Sequence, residues 1–116
     1  MTVPAGFDEL IHPPTRLGLV ALLAAAQWAE FSFLKESLEL TDSALSKQVS
    51  TLAEAGYAEV RKEGAGRRRR TLVMLTPLGR AAFDGHVAAL RQLVDRASTP
   101  GLRQEAQQGD GSTVGA

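Results

Sequence analysis

The stretch "TDSALSKQVSTLAEAGYAEVRKEGAGRRRRTLVMLTP", residues 41–77, starts with a helical hydrophobic period and finishes with a strand period. Leu45, Val49 and Leu52 fall at i, i+4 and i+7, which puts them on one face of a helix. Thr41 or Asp42 can cap that helix by accepting a bond from a free backbone N–H. Gly56 stands where a helix commonly closes in a left-handed conformation. The result is a helix of about 14 residues, apolar inward. Its outward face carries Ser43, Lys47, Ser50 and Glu54, with Ser46 at the edge. Beyond Gly56, "YAEVRK" and "RTLVMLT" are β-prone runs, and "EGAGRR" between them has the length and glycine content of a hairpin connection.

Upstream, "HPPTRLGLVALLAAA" predicts a first helix. Its paired prolines suit the opening turn, and Leu19, Leu22, Leu23 and Ala26 recur at helical spacing. "FSFLKESL" reads as a short second helix with Phe31, Leu34 and Leu38 on one face. Downstream, Thr76-Pro77 closes the second strand and opens a long helix. In that helix Phe83, Val87, Leu90, Val94 and Ala97 form a stripe close to a heptad seam. The remainder is rich in Gly, Gln and Ser and has almost nothing to bury. The expected organisation is one domain over 1–97, with first and last helices available for dimerisation, and a disordered tail over 98–116.

Composition narrows the function classes. The 116 residues are 44% hydrophobic and 22% charged, as in a folded globular domain. No cysteine is present, which removes disulfide frameworks, thiolate metal sites and cysteine nucleophiles. His12 and His86 are the only histidines, too few for a transition-metal site of defined spacing. His12 reads instead as part of the turn leading into the first helix. The stretch "LTDSALS" has serines near Asp42 but no adjacent histidine, and no nucleophile elbow, P-loop or dinucleotide fingerprint occurs. Neither catalysis nor a cofactor is expected. The longest apolar run, "LGLVALLAAAQWA", is too short to span a bilayer, and the amino terminus lacks a basic signal region. A cytoplasmic protein is expected.

Charge supplies the functional signal. There are 13 cations and 13 anions overall, but residues 61–70 hold six cations against Glu63 alone. Residues 1–60 hold three cations against eight anions. A local positive knob on an acidic body is the geometry of a site, since solubility alone is served by scattered charge.

Three helices followed by a hairpin with a basic tip make the order of a winged helix-turn-helix, mainly α with a small β-hairpin. In that order the third helix enters the major groove of DNA. Small side chains at Ser43, Ala44, Ser46 and Ser50 permit close approach, and Lys47 adds charge. Arg67, Arg68, Arg69 and Arg70 at the hairpin tip suit phosphate or a narrow minor groove, because guanidinium makes forked bonds and tolerates that confined, negative space.

The segments "IHPPTRLGLVALL", "LTDSALSKQVSTLAEAGYAEVRK" and "GRRRRTLVMLTPLGRAAF" together resemble compact winged-helix regulators of the MarR/ArsR type, especially the short winged helix DNA-binding domain family. The likeness spans roughly residues 7–95 and implies a cytoplasmic, homodimeric, sequence-specific regulator of transcription, often a repressor, acting on a pseudo-palindromic duplex. It places Ser43, Ala44, Ser46, Lys47 and Ser50 on the recognition helix and Arg67 to Arg70 on the wing. Dimerisation would run through the first and last helices, with Phe83, Val87, Leu90 and Val94 in the seam. The flanking helices are shorter than those that enclose a ligand pocket in the MarR type, and no effector is assigned. The competing reading is a winged-helix interaction module that turns the basic wing on an acidic protein partner; a third turns it on RNA. An exposed apolar patch on the third helix would favour protein docking, and the sequence offers none.

Overall fold

Helix formation begins where proline does least harm. Pro14 opens α1 (Pro14–Ala24) with Pro13 flanking it, and the first N–H groups of a helix have no intrahelical partner to lose. The computed structural model describes residues 2–98; the tail expected to be disordered lies outside the described residues from 99 onward. α1 buries Leu19, Val20 and Leu23, while Leu22 packs against the same core half-buried.

The helix stops at Ala24, two residues short of Ala26, where the expected helix ends. The chain is needed downstream for a strand that leaves no trace in the periodicity. Ala29–Glu30 form β1, which pairs antiparallel with β3 (Arg70–Leu75), Ala29 opposite Val73 and Glu30 opposite Leu72. β3 pairs on its other side with β2 (Ala58–Glu63), in a register running from Ala58 opposite Leu75 to Glu63 opposite Arg70. The expected two-stranded hairpin is thus two strands of a three-stranded antiparallel sheet of order β1-β3-β2. The middle strand is the apolar one: Leu72, Val73 and Leu75 are buried.

Between β1 and the sheet's return lie α2 (Phe31–Leu38) and α3 (Asp42–Glu54), joined by the turn Glu39–Leu40–Thr41. Glu39 adopts φ 55°, the left-handed conformation that ends α2. Leu34 of α2 and Leu45, Val49 and Leu52 of α3 are buried, as the spacing predicts. They meet α1 and β3 in one core with Leu19, Leu23 and Val73. Fully burying such an aliphatic chain is worth about 1.5–3 kcal/mol relative to exposure.

α4 (Pro77–Ala97) leaves the sheet through a tightly tied corner. Thr76 Oγ1 donates to the Gly56 carbonyl at 2.6 Å and accepts from Gly79 N–H at 3.0 Å. Gly79 is buried, and a Cβ there would collide with the Tyr57 carbonyl oxygen. The side chains α4 fully buries are His86 and Ala89. Phe83 packs on the main core half-buried, Val87 and Leu90 are half-buried, and Val94 is 64% exposed.

Candidate nucleic-acid interface

α3 is positioned from both ends. At its start Thr41 Oγ1 accepts from Ala44 N–H at 3.1 Å, and Asp42 in the first turn carries the negative charge a helix amino terminus favours. Lys35 of α2 reaches that same Asp42 at 3.0 Å, bridging the turn between the two helices. From α1, Arg16 Nε donates to Gln48 Oε1 at 2.9 Å, so Gln48 faces inward rather than outward. The burial of Leu45, Val49 and Leu52 then fixes which face is left outside. Ser43, Ser46, Lys47 and Ser50 are exposed, and Ala44 is half-buried.

The wing lies across a groove from that face. Ser46 and Ser50 of α3, Val60 and Lys62 of β2 and Thr71 of β3 line it, with Phe31 and Val73 among the apolar groups below. Lys62 also borders the neighbouring groove beside Arg69 and Arg70. It is the residue on this surface that sequence reasoning passed over. The signal was available: Val60 and Lys62 are two apart on a strand and share a side.

On the wing the five arginines divide into two sets. Arg61 is stacked 4.4 Å from the Trp28 ring and donates to Glu63 at 3.1 Å. Arg70, opposite Glu63 in the strand register, bonds to the same carboxylate at 3.4 Å. The hydrogen-bonded Arg61 guanidinium holds the Glu63 carboxyl below the usual carboxylate range, and Arg70 adds to the pull. Arg67, Arg68 and Arg69 stand at the tip, where residues 66–68 make a single 3₁₀ turn, and all three are exposed. Among the described residues none of the three has a carboxylate within ion-pair distance. The structure therefore brings Ser46 and Ser50 of α3 to one groove with Lys62 and Thr71 of the wing strands. Among the described residues the three tip arginines have no ion-pair partner, while Arg70 shares Glu63.

A capped helix presenting small polar side chains, a second helix braced against its start and a hairpin with an unpaired cationic tip define a winged-helix DNA-binding protein with the fold of a transcriptional regulator. The chain belongs to the winged helix DNA-binding domain family, whose model matches residues 15–94. An uncharacterized protein of Methanocaldococcus jannaschii is 33% identical over 85 residues, covering 73% of this chain and 92% of that protein. Among solved structures, a transcriptional regulator homologue from Pyrococcus horikoshii OT3 superposes with a TM-score of 0.74 at 26% identity, covering 79% of this chain and 91% of that one. A MarR-family transcriptional regulator from Silicibacter pomeroyi aligns with a TM-score of 0.57 at 27% identity, over 86% of this chain and 68% of that one. The family is a DNA-binding one, not a family of enzymes. No helix of the described residues is long and apolar enough to cross a membrane.

Proposed function

We propose that this protein is a homodimeric, sequence-specific regulator of transcription, probing duplex DNA with α3 and gripping its backbone with the wing. The observation that carries the proposal is the groove shared by Ser46 and Ser50 of α3 with Lys62 and Thr71 of the wing strands, Lys62 in turn bordering Arg69 and Arg70. Short hydroxyl side chains let the helix axis come close to base edges, where each can donate or accept. Lys47, Lys62 and the tip arginines supply the counter-charge to phosphate, which positions a protein on DNA without reading sequence. Arg70 joins them as a wing residue held by Glu63 in the free protein. The domain extends to about residue 97 and works in the cytoplasm as a repressor.

The seam of the dimer runs along α4. Val87, Leu90 and Val94 border a shallow apolar groove with Arg91 and Asp95 at its rim, and Phe83 with Val87 and Ala88 borders a second. Two reading heads related by a two-fold axis suit a pseudo-palindromic site with half-sites about one helical turn apart.

Selection of binding sites from random duplex pools tests the whole reading. An inverted repeat is the expected product, and Ser46→Leu or Ser50→Leu is expected to change or abolish it. If both variants returned the unchanged motif, α3 would not be the reading element. Failure to enrich any duplex, with an acidic protein retained instead, would put the interaction-module reading first.

A further inference from the structure

Residues 4–12 lie outside the helix-turn-helix and the wing, yet they are fastened to α4, to Tyr57 just beyond α3 and, through Arg16, to Gln48 in the middle of α3. Gly6, at φ 92°, turns the chain so closely onto α4 that a Cβ there would stand 2.9 Å from the Gly85 carbonyl oxygen. The Phe7 ring then sits edge-on to His86, centroids 4.7 Å apart, and 4.8 Å from His12. Ile11 is fully buried. Asp8 N–H donates to His86 Nδ1 at 3.0 Å, and His86 Nε2 lies 3.1 Å from His12 Nδ1.

These contacts assign every proton. A backbone amide can only donate, so Nδ1 of His86 must keep its lone pair. The neutral ring then carries its proton on Nε2, and His12 Nδ1 accepts it. His86 has no exposed surface. A second proton on this ring would set an N–H against the Asp8 N–H, two donors and no acceptor, in a site closed to water.

We infer that residues 4–12 form a proton-released strap, latched to α4 by neutral His86 and freed when that ring takes up a proton. Its release acts on the α3 side. The Asp8 carboxylate accepts from the Tyr57 hydroxyl at 2.6 Å, just beyond the end of α3, and from Leu10 N–H at 2.9 Å. Arg16, which holds Gln48 of α3, donates its other arm to the Leu10 carbonyl at 2.6 Å. Opening the strap removes the Asp8 partner of Tyr57 and the Leu10 partner of Arg16, leaving Arg16 only Gln48.

The surrounding charges fix the direction. From the strap, the Asp8 carboxylate and the His12 imidazole face His86; Tyr57 stands behind Asp8, and Arg16 of α1 meets the strap at Leu10. Burial pushes His86 below the ordinary imidazole range, His12 adds to that shift, and Asp8 opposes it. The closed strap therefore binds its proton less readily than the open one. Closure is complete above the ordinary imidazole value of about 6.5. Below it the opening constant rises up to tenfold per pH unit, until the lowered value of the closed state is reached.

Amide hydrogen exchange of the full chain between pH 7.5 and 5.0, with intrinsic rates divided out, tests the strap. Amides of residues 8–12 are expected to lose protection by up to tenfold per pH unit below about 6.5, while those of α3 and β3 hold theirs. Unchanged protection of the strap, or its loss only together with the core, would overturn the inference. His86→Phe keeps a buried ring but deletes the acceptor, and should leave the strap open at every pH. A protected strap in that variant also overturns the inference. If that variant does not fold, His12→Phe decides: the Asp8–His86 bond survives it, so the acid response should persist. Its disappearance would place the titration on His12 and refute the latch.

Discussion

Thr41 and Thr76 sit at the same position on two helices, each accepting a bond from an N–H three residues on. Thr76 also donates to the Gly56 carbonyl at 2.6 Å, whereas the second contact of Thr41 is an exposed one of 3.5 Å to the Ser43 hydroxyl. The cap is worth about 1 kcal/mol in either place, and a net intramolecular hydrogen bond adds about 1 kcal/mol more. Thr41→Ala is therefore expected to lower stability by about 1 kcal/mol, and Thr76→Ala by about 2 kcal/mol. Urea unfolding with an unchanged m-value measures both. Equal losses would mean that the bond to Gly56 contributes nothing. The larger effect belongs to Thr76 because it ties the end of α3, the end of the sheet and the start of α4 at one point.

At the scale of the element, the wing separates fold from charge. Its strands are held by the β2–β3 ladder and by Leu72, Val73 and Leu75 beneath, so the tip carries arginines that the core does not need. Each phosphate neutralised by a cation lowers the slope of log affinity against log salt by about 0.9. If two of Arg67, Arg68, Arg69 and Arg70 reach phosphate in each subunit of a dimer, replacing all four by alanine flattens the slope by about 3.6. Binding to matched and unmatched duplexes should weaken together, with the circular dichroism spectrum unchanged. Fluorescence anisotropy titrations across a salt series read the effect directly. An alanine variant that keeps its affinity and its slope would take the wing out of the interface. Within the set, Arg70→Ala alone should flatten the slope least, since Glu63 already competes with phosphate for it.

For the whole molecule, α4 divides its surface between two tasks. One side is spent on its own protomer, through buried Gly79, His86 and Ala89. The other presents Val87, Leu90 and Val94 beside shallow apolar grooves. Covering that second side with another copy implies that a charge placed in the seam would be desolvated without a partner, at a cost of several kcal/mol. Val94→Asp is the clean test because Val94 is 64% exposed in the protomer and its own core does not depend on it. Leu90→Asp should act more strongly. Sedimentation velocity at micromolar concentration is expected to give dimers for the parent chain and monomers for either variant, with weaker DNA binding following the loss of dimer. A monomeric parent would remove the dimer from the proposed function.

The sequence by itself determined the elements whose side chains repeat. Leu45, Val49 and Leu52 marked the inner face of α3, and so by subtraction the outer face of Ser43, Ser46, Lys47 and Ser50. Phe31–Leu38 was legible as α2, and Thr76-Pro77 as the corner before α4, because caps and periods act within one turn of the chain. Tertiary structure decided what depends on residues far apart. β1 is two residues long, too short for any period, and exists because β3 has a free edge beside it. Arg70 looked like its three neighbours until the register set it opposite Glu63. His86 stood in the sequence only as one of two histidines too few for a metal site; its tautomer is set by Asp8 and His12, 78 and 74 residues away. Local propensity is written along the chain, whereas the state of a buried imidazole is set by whichever donor the fold brings to its lone pair.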